Sequence, residues 1–254
     1  MTDHERTHVQ HDDSSDVVAS AVAIAGQAAA HHAETHPSRS GLDAEMREVK
    51  DAILRMGSTV EASIRAAIDA LVAHDADGAT RVIVGDARIN EIQRDVTGMI
   101  TRAIATQSPV ARDLRFLLAL DHVGYELERM GDHAASVAKQ VQRLAPQPPL
   151  KRYVDLPARG ELAAQLVGAI LRALVDVDVA AARAVAARDD EIDALNRRTF
   201  DEVVELMRQD PANVERGTRI IIASHYLERI GDRSTNIAED IVYLVTGDVE
   251  DLNP

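Results

Sequence analysis

Residues 128–139 read ERMGDHAASVAK and residues 228–239 read ERIGDRSTNIAE. Nearly the same acidic segment is written twice, 100 positions apart, each time with a Glu four residues before an Asp. On a helix that spacing stacks Glu128 over Asp132 and Glu228 over Asp232. Such like-charged neighbours destabilise an isolated helix by about 0.2–0.5 kcal/mol. A chain that accepts this penalty at matched places needs positive charge beside it, from arginine or from a metal ion.

Outward from these segments the pattern is helical. Leu120, Val123, Leu127, Met130, Ala134, Val137, Val141 and Leu144 step by three or four, the signature of an apolar helical stripe. Met46, Val49, Ile53, Met56, Val60, Ile64, Ala67 and Leu71 form another, and Val82, Gly85, Ile89, Ile92, Val96, Met99 and Ala103 a third. Ser108 is expected to cap the following helix, with Pro109 at its first position. Prolines at 146, 148, 149 and 157 then break the chain. The three-helix plan returns after them, with helices expected over 162–175 and 179–209. Asp210-Pro211 repeats the cap-then-proline start. A last stripe runs Ile220, Ala223, Leu227, Ile230, Ser234, Ile237, Ile241 and Leu244, and Gly247 is the expected stop.

The halves are an internal repeat. Ala70, Leu71, Val72 and Asp75 recur 103 positions later as Ala173, Leu174, Val175 and Asp178, and Asp86, Ile89, Asn90 and Arg94 recur as Asp189, Ile192, Asp193 and Arg197. Nothing reads as strand. The expected fold is all-α: two tandem antiparallel three-helix bundles over 42–145 and 157–247, joined by a proline-rich linker, 146–156. Residues 1–41 hold six of the ten histidines and read as a disordered tail. Loose metal capture by those imidazoles has weak support, since only two pairs, His4 with His8 and His32 with His36, are four apart.

Composition excludes several functions. The absence of cysteine rules out disulfides and thiolate metal sites, and fits a reducing cytosol. A net charge of −14 lacks the basic footprint of a non-specific nucleic-acid binder. No apolar run reaches the roughly 18–20 residues that cross a bilayer. The stretch VVASAVAIAGQAAA, residues 17–30, follows acidic residues rather than a basic segment, so no signal peptide is read. A cytoplasmic protein with no direct membrane insertion is expected. Gly-x-Ser-x-Gly, the P-loop and a Gly-rich dinucleotide turn are absent, as is the recurring Glu-x-x-His of ferritin-like di-iron enzymes.

The second helix of each half adds a further pair of oxygen ligands, Asp86 with Asn90 and Asp189 with Asp193. Each pair flanks the apolar seam. If second and third helices pack antiparallel, Asp86, Asn90, Glu128 and Asp132 line one groove, and Asp189, Asp193, Glu228 and Asp232 another. Four hard oxygen donors suit magnesium, manganese, calcium or iron, and suit zinc less well without His or Cys. The plainer alternative is a solvated face on which Arg94, Arg129, Arg197 and Arg229 form ion pairs. Recurrence in both halves favours the metal. Gly131 and Gly231 add to it, because a mid-helix glycine costs about 1 kcal/mol and its repetition points to close backbone approach. His225, opposite Tyr125 in the repeat, reads as an ordinary boundary residue, and His122 and His133 lack repeat partners.

Residues 54–75 (LRMGSTVEASIRAAIDALVAHD), 108–138 (SPVARDLRFLLALDHVGYELERMGDHAASVA) and 225–239 (HYLERIGDRSTNIAE) together resemble the PhoU family of phosphate-transport regulators. The resemblance implies paired three-helix bundles with surface metal clusters of iron, manganese, magnesium or zinc at the eight positions above. It also implies a non-enzymatic negative regulator of phosphate uptake and starvation signalling. Its expected partners are a membrane phosphate ABC transporter and a sensor histidine kinase, and a homodimer is expected. Asn90 departs from the family's acid, which weakens the first site. A carboxylate-bridged metalloenzyme and a plain helical scaffold stand as the alternatives.

Overall fold

The computed structural model describes residues 39–150 and 155–252. Most of the histidine-rich tail and residues 151–154 of the linker lie outside those residues. Among the described residues seven helices follow one another: α1 (Arg39–Ala73), α2 (Ala76–Gln107), α3 (Ala111–Leu144), α4 (Asp155–Asp176), α5 (Val179–Ala186), α6 (Asp189–Gln209) and α7 (Val214–Thr246), with a 3-10 turn at Pro211–Asn213 before the last. No strand occurs among the described residues, and no described helix is long and apolar enough to cross a membrane.

The apolar stripes become the core. Val49, Ile53, Met56, Val60, Ile64, Ala67 and Leu71 are buried on α1, and every stripe residue of α3 from Leu120 to Leu144 is buried. The α1–α2 and α4–α5 turns are built alike. Asp75 accepts from the Gly78 N–H at 2.9 Å, and Asp178 accepts from the Ala181 N–H at 3.0 Å, each capping the helix that follows. The residue before each cap, His74 and Val177, is left-handed with φ 53° in both.

Three boundaries differ from the sequence reading. Ser108 closes α2 rather than opening α3: it is left-handed and its N–H reaches the Ile104 carbonyl at 3.2 Å. Pro109 lacks the N–H that would continue α2, and the extended Val110 becomes the cap of α3. In the second repeat the cap-then-proline start does form, with Asp210 accepting from Ala212 ahead of the 3-10 turn. The helix expected over 179–209 is cut at Ala187–Arg188, where Arg188 bonds back only three residues, to Val185. The cut puts Asp189, Asp190 and Glu191 in the first turn of α6, where carboxylates complement the helix dipole. Helix α4 starts at Asp155, ahead of Pro157, because a first-turn proline loses no helical hydrogen bond.

The repeats meet through α1 with α4 and α3 with α7, both antiparallel, in a pseudo-twofold arrangement. On the first pair, a Cβ on Gly57 would stand 1.9 Å from Leu171 Cδ1, and one on Gly160 would stand 2.3 Å from Ile68 Cγ1. Gly57 and Gly160 are repeat equivalents, as are Ile68 and Leu171, so each helix inserts the same knob into the other's glycine gap. On the second pair, Arg233 binds Glu126 at 3.4 Å, and the equivalent His133 stacks on Tyr226 at 5.8 Å. His122 adds a bond to Asp240 at 2.6 Å. The two histidines without repeat partners thus hold the repeats together. Burial, helped by Arg233 and Arg229, pushes His133 down to about 4, so it stacks as the neutral ring.

Gly160→Ala is expected to destabilise the protein by about 1–3 kcal/mol even though alanine favours helix by roughly 1 kcal/mol. Combining it with Ile68→Ala is expected to cost less than the sum of the single changes, read by urea unfolding followed by circular dichroism. Strict additivity would mean the two side chains do not meet.

Candidate metal-binding clusters

Antiparallel packing of α2 on α3 brings Asp86 to Gly131 and Asp132, and packing of α6 on α7 brings Asp189 to Gly231 and Asp232. A Cβ on Gly131 would lie 3.1 Å from Asp86 Oδ1 and 2.8 Å from Ile89 Cδ1. One on Gly231 would lie 2.2 Å from Asp189 Oδ1 and 3.0 Å from Ile192 Cδ1. Both glycines thus let the helices close: a side chain at either place would push aside the aspartate carboxylate and the isoleucine beside it.

In the first cluster Asp86, Asn90, Glu128 and Asp132 are all half-buried. Asn90 donates to Asp86 Oδ2 at 3.2 Å, while Asp86 Oδ1 and Asn90 Oδ1 are buried with no hydrogen-bond donor. Burial pushes Asp86 up, and Asp132 pushes it further; burial and then Asp132 do the same to Glu128. Arg129 reaches Asp132 at 3.4 Å and Glu128 at 3.8 Å from an exposed position.

The second cluster is more strained electrostatically. Asp189 is 6% exposed. Burial, followed by Asp232, Asp193 and Glu228, pushes it up to about 7. Burial also raises Asp193, with Glu228 adding to it, and raises Asp232 against the pull of Arg229. Arg229 bonds Asp232 at 2.9 Å and Arg197 approaches Asp193 at 3.9 Å. Of the four arginines considered from the sequence, three pair with cluster residues; Arg94 makes no ion pair among the described residues.

Two residues that sequence reading passed over belong here. His225 Nδ1 lies 2.7 Å from Glu228 Oε2. Arg159, 0% exposed, donates to Asn196 Oδ1 at 2.9 Å and to Ser224 Oγ, and Ser224 donates to Asn196 Oδ1 at 2.8 Å. Asn196 is one turn beyond Asp193, and Ser224 one turn before Glu228, so the guanidinium is pinned beneath that cluster. Burial lowers Arg159 to about 10, with Glu228 opposing the shift most strongly. The first repeat has Met56, Gln93 and Gly124 at these three places. The second cluster thus has an extra acid, Asp193 for Asn90, and an extra internal base, so the two inner sites carry the same net charge when ionised.

The donor set suits a hard cation: the unpartnered oxygens of Asp86 and Asn90, and the like-charge crowding at Asp189, are what an ion would relieve. Among the described residues no three carboxylates or imidazoles converge closely enough to hold an ion as the side chains stand, so binding requires the outer carboxylates to rotate inward.

The PhoU domain family model matches twice, over residues 53–141 and 159–241, which places one match on each repeat and one cluster within each match. This chain belongs to the PhoU family. A PhoU homologue of Clostridium acetobutylicum, named as a phosphate-specific transport system accessory protein, is 34% identical over 85% of this chain and 99% of its own length. The Pseudomonas aeruginosa homologue of the same name is 34% identical over 84% and 88%. The crystal structure of PhoU from P. aeruginosa superposes with TM-score 0.77, covering 81% of this chain and 99% of the other at 34% identity. The phosphate transport system regulatory protein PhoU from Streptococcus pneumoniae gives 0.76 at 30% identity. PhoU proteins are regulatory accessory proteins, and the chain is not an enzyme.

Asp189 binds its proton more tightly folded than unfolded, where the carboxyl value is 3.8. In chelator-treated protein, stability should therefore fall as pH rises from about 4 to about 7 and then level off. Asp189→Asn removes that loss. Its thermal midpoint should exceed that of the parent by an amount that grows over this window to about 8–16 °C at pH 8; a gap independent of pH would contradict the buried-carboxylate assignment.

Proposed function

We propose that this chain is a cytoplasmic regulator of phosphate transport that restrains phosphate uptake and the phosphate-starvation response when phosphate is plentiful. It does so as an adaptor between a membrane phosphate ABC transporter and a sensor histidine kinase. The observation that carries the reading is the double family match over both repeats, joined by relatives named as accessory and regulatory proteins of phosphate transport. The exposed faces of the helices supply docking surface, and the absence of a membrane-crossing helix among the described residues fits a partner recruited to a transporter.

The same proposal gives the two acidic clusters a role. Asp86, Asn90, Glu128 and Asp132 hold divalent or trivalent cations on the first repeat, and Asp189, Asp193, Glu228 and Asp232 on the second, with iron, manganese, magnesium and zinc as the candidates. A bound ion supplies the positive charge that ties α2 to α3 and α6 to α7. The residues of the chain do the rest: Gly131 and Gly231 allow the helices to close, Asn90 orients Asp86, and Arg159 neutralises part of the second cluster from below. The ion pair of Arg229 with Asp232 favours a second reading, in which arginine alone neutralises the clusters and the chain is a metal-free scaffold.

In cells, removing the chain should raise phosphate uptake in phosphate-rich medium; unchanged uptake and unchanged starvation-reporter expression would refute the regulatory role. In vitro, manganese at a hundredfold excess over its Kd should stabilise the protein by about 2.7 kcal/mol, a rise in Tm of about 5–10 °C. Elemental analysis should show roughly half the metal after Glu228→Ala with Asp232→Ala. Indifference of Tm to both manganese and chelator would favour the scaffold.

A further inference from the structure

The repeats differ in the sign of charge along the outer faces of their second helices. On α2, Arg88, Asp95 and Arg102 lie seven residues apart and are all exposed. At the equivalent places 103 residues later, α6 carries Glu191, Arg198 and Glu205, also exposed. Heptad spacing keeps each trio on one stripe, about 21 Å from end to end at 1.5 Å per residue. The signs run plus, minus, plus on α2 and minus, plus, minus on α6. Every position is inverted while the buried positions between them stay matched: Ile89 with Ile192, and Ile100 with Val203.

The two stripes are complementary in a way a single molecule cannot use, because α2 and α6 sit in different bundles and do not pack against each other. Each stripe reads the same from both ends. An α2 facing an α6 in either direction therefore meets three opposite charges. The α2 stripe borders an open groove of about 760 Å³ between α1 and α2. Ala52, Ile92 and Met99 contribute apolar surface to it, and Arg55 and Arg94 add basic charge. Among the described residues, Asp95 and Arg102 make no ion pair. The α6 charges are paired at the surface, Arg188 with Glu191 at 3.1 Å, Arg198 with the half-buried Asp155 at 3.4 Å and Arg208 with Glu205 at 3.9 Å. Such surface pairs are worth about 0–1 kcal/mol and exchange readily for better ones.

We propose that α6 of a second copy of this chain seats against the α1–α2 groove, with Arg88, Asp95 and Arg102 facing Glu191, Arg198 and Glu205. The occupant is set by charge: the surface that complements this basic groove is present on the chain itself, at the pseudo-symmetric position. A protein of net charge −14 otherwise repels its own kind, so a localised basic stripe is what self-association needs. The contact is independent of the phosphate and metal readings, and gives an expected dimer a named interface. If two copies exchange the contact reciprocally the assembly closes; if not, it grows as a head-to-tail series.

The test uses sedimentation velocity on the full chain with two triple variants, one carrying Arg88→Glu, Asp95→Arg and Arg102→Glu, the other Glu191→Arg, Arg198→Glu and Glu205→Arg. All six positions are exposed, and circular dichroism checks that each variant keeps its helices. The parent should associate below about 100 µM, and each variant alone, now presenting like stripes to like, should weaken association at least about 100-fold. An equimolar mixture of the two should associate again, since one supplies an inverted groove and the other an inverted helix. A parent that stays monomeric, a variant that still associates alone, or a mixture that does not recover overturns the proposal.

Discussion

Where α3 crosses α2, and where α7 crosses α6, a glycine stands opposite an aspartate whose oxygen fills the space a Cβ would need. Gly131 against Asp86 and Gly231 against Asp189 set how close the helices come, and so set how close the carboxylates of one helix come to those of the next. Closeness is what makes the clusters electrostatically unusual. Spread over two solvated faces, these acids would titrate as ordinary surface groups. Brought together and half-buried, Asp86, Glu128, Asp193 and Asp232 hold their protons more tightly, and Asp189 does so up to about 7. A fold that places acids this way gains from any positive charge that reaches them, whether from arginine or from a bound cation.

The pseudo-twofold arrangement explains which parts of the repeat were free to diverge. At the α1–α4 crossing both copies keep glycine and knob, because each helix is simultaneously the socket and the plug. At the α3–α7 crossing the same pair of positions holds an ion pair on one side, Glu126 with Arg233, and a neutral stack on the other, Tyr226 with His133. Beneath the clusters the divergence is compensated: Asp193 adds a charge that Asn90 lacks, and Arg159 replaces Met56. On the outer faces of the second helices three equivalent pairs of charges are inverted: Arg88 with Glu191, Asp95 with Arg198 and Arg102 with Glu205.

Much of this could be read from the sequence. The stripes from Met46 to Leu71 and from Leu120 to Leu144 are legible because the helical period repeats over many turns, and the repeat shows itself in the acidic segments. Gly131 and Gly231 were legible as points of close approach because glycine mid-helix has few other reasons to recur. The boundaries were harder. Ser108-Pro109 is a valid start for one helix and a valid stop for another, and only the left-handed Ser108 decides it. The break at Ala187–Arg188 carries neither glycine nor proline, so nothing local announced it. Arg159 sits in an otherwise apolar stretch, and aligning it with Met56 exposes a charge at a core position; that comparison between repeats was the available signal. His225, opposite Tyr125 in the repeat, reads as an ordinary boundary residue, yet its bond to Glu228 needs no symmetry. Pairing of α1 with α4 was out of reach, since it joins residues about a hundred positions apart with no covariation to link them.

The most direct measurement is anomalous diffraction from crystals grown with manganese, collected at a wavelength where manganese scatters strongly. The account predicts a peak in each repeat, one within coordination distance, about 2.0–2.6 Å, of Asp86 and the other of Asp189, with the outer carboxylates turned inward to reach it. Density showing Arg129 and Arg229 folded over the carboxylates, with no anomalous peak at either aspartate, would contradict it.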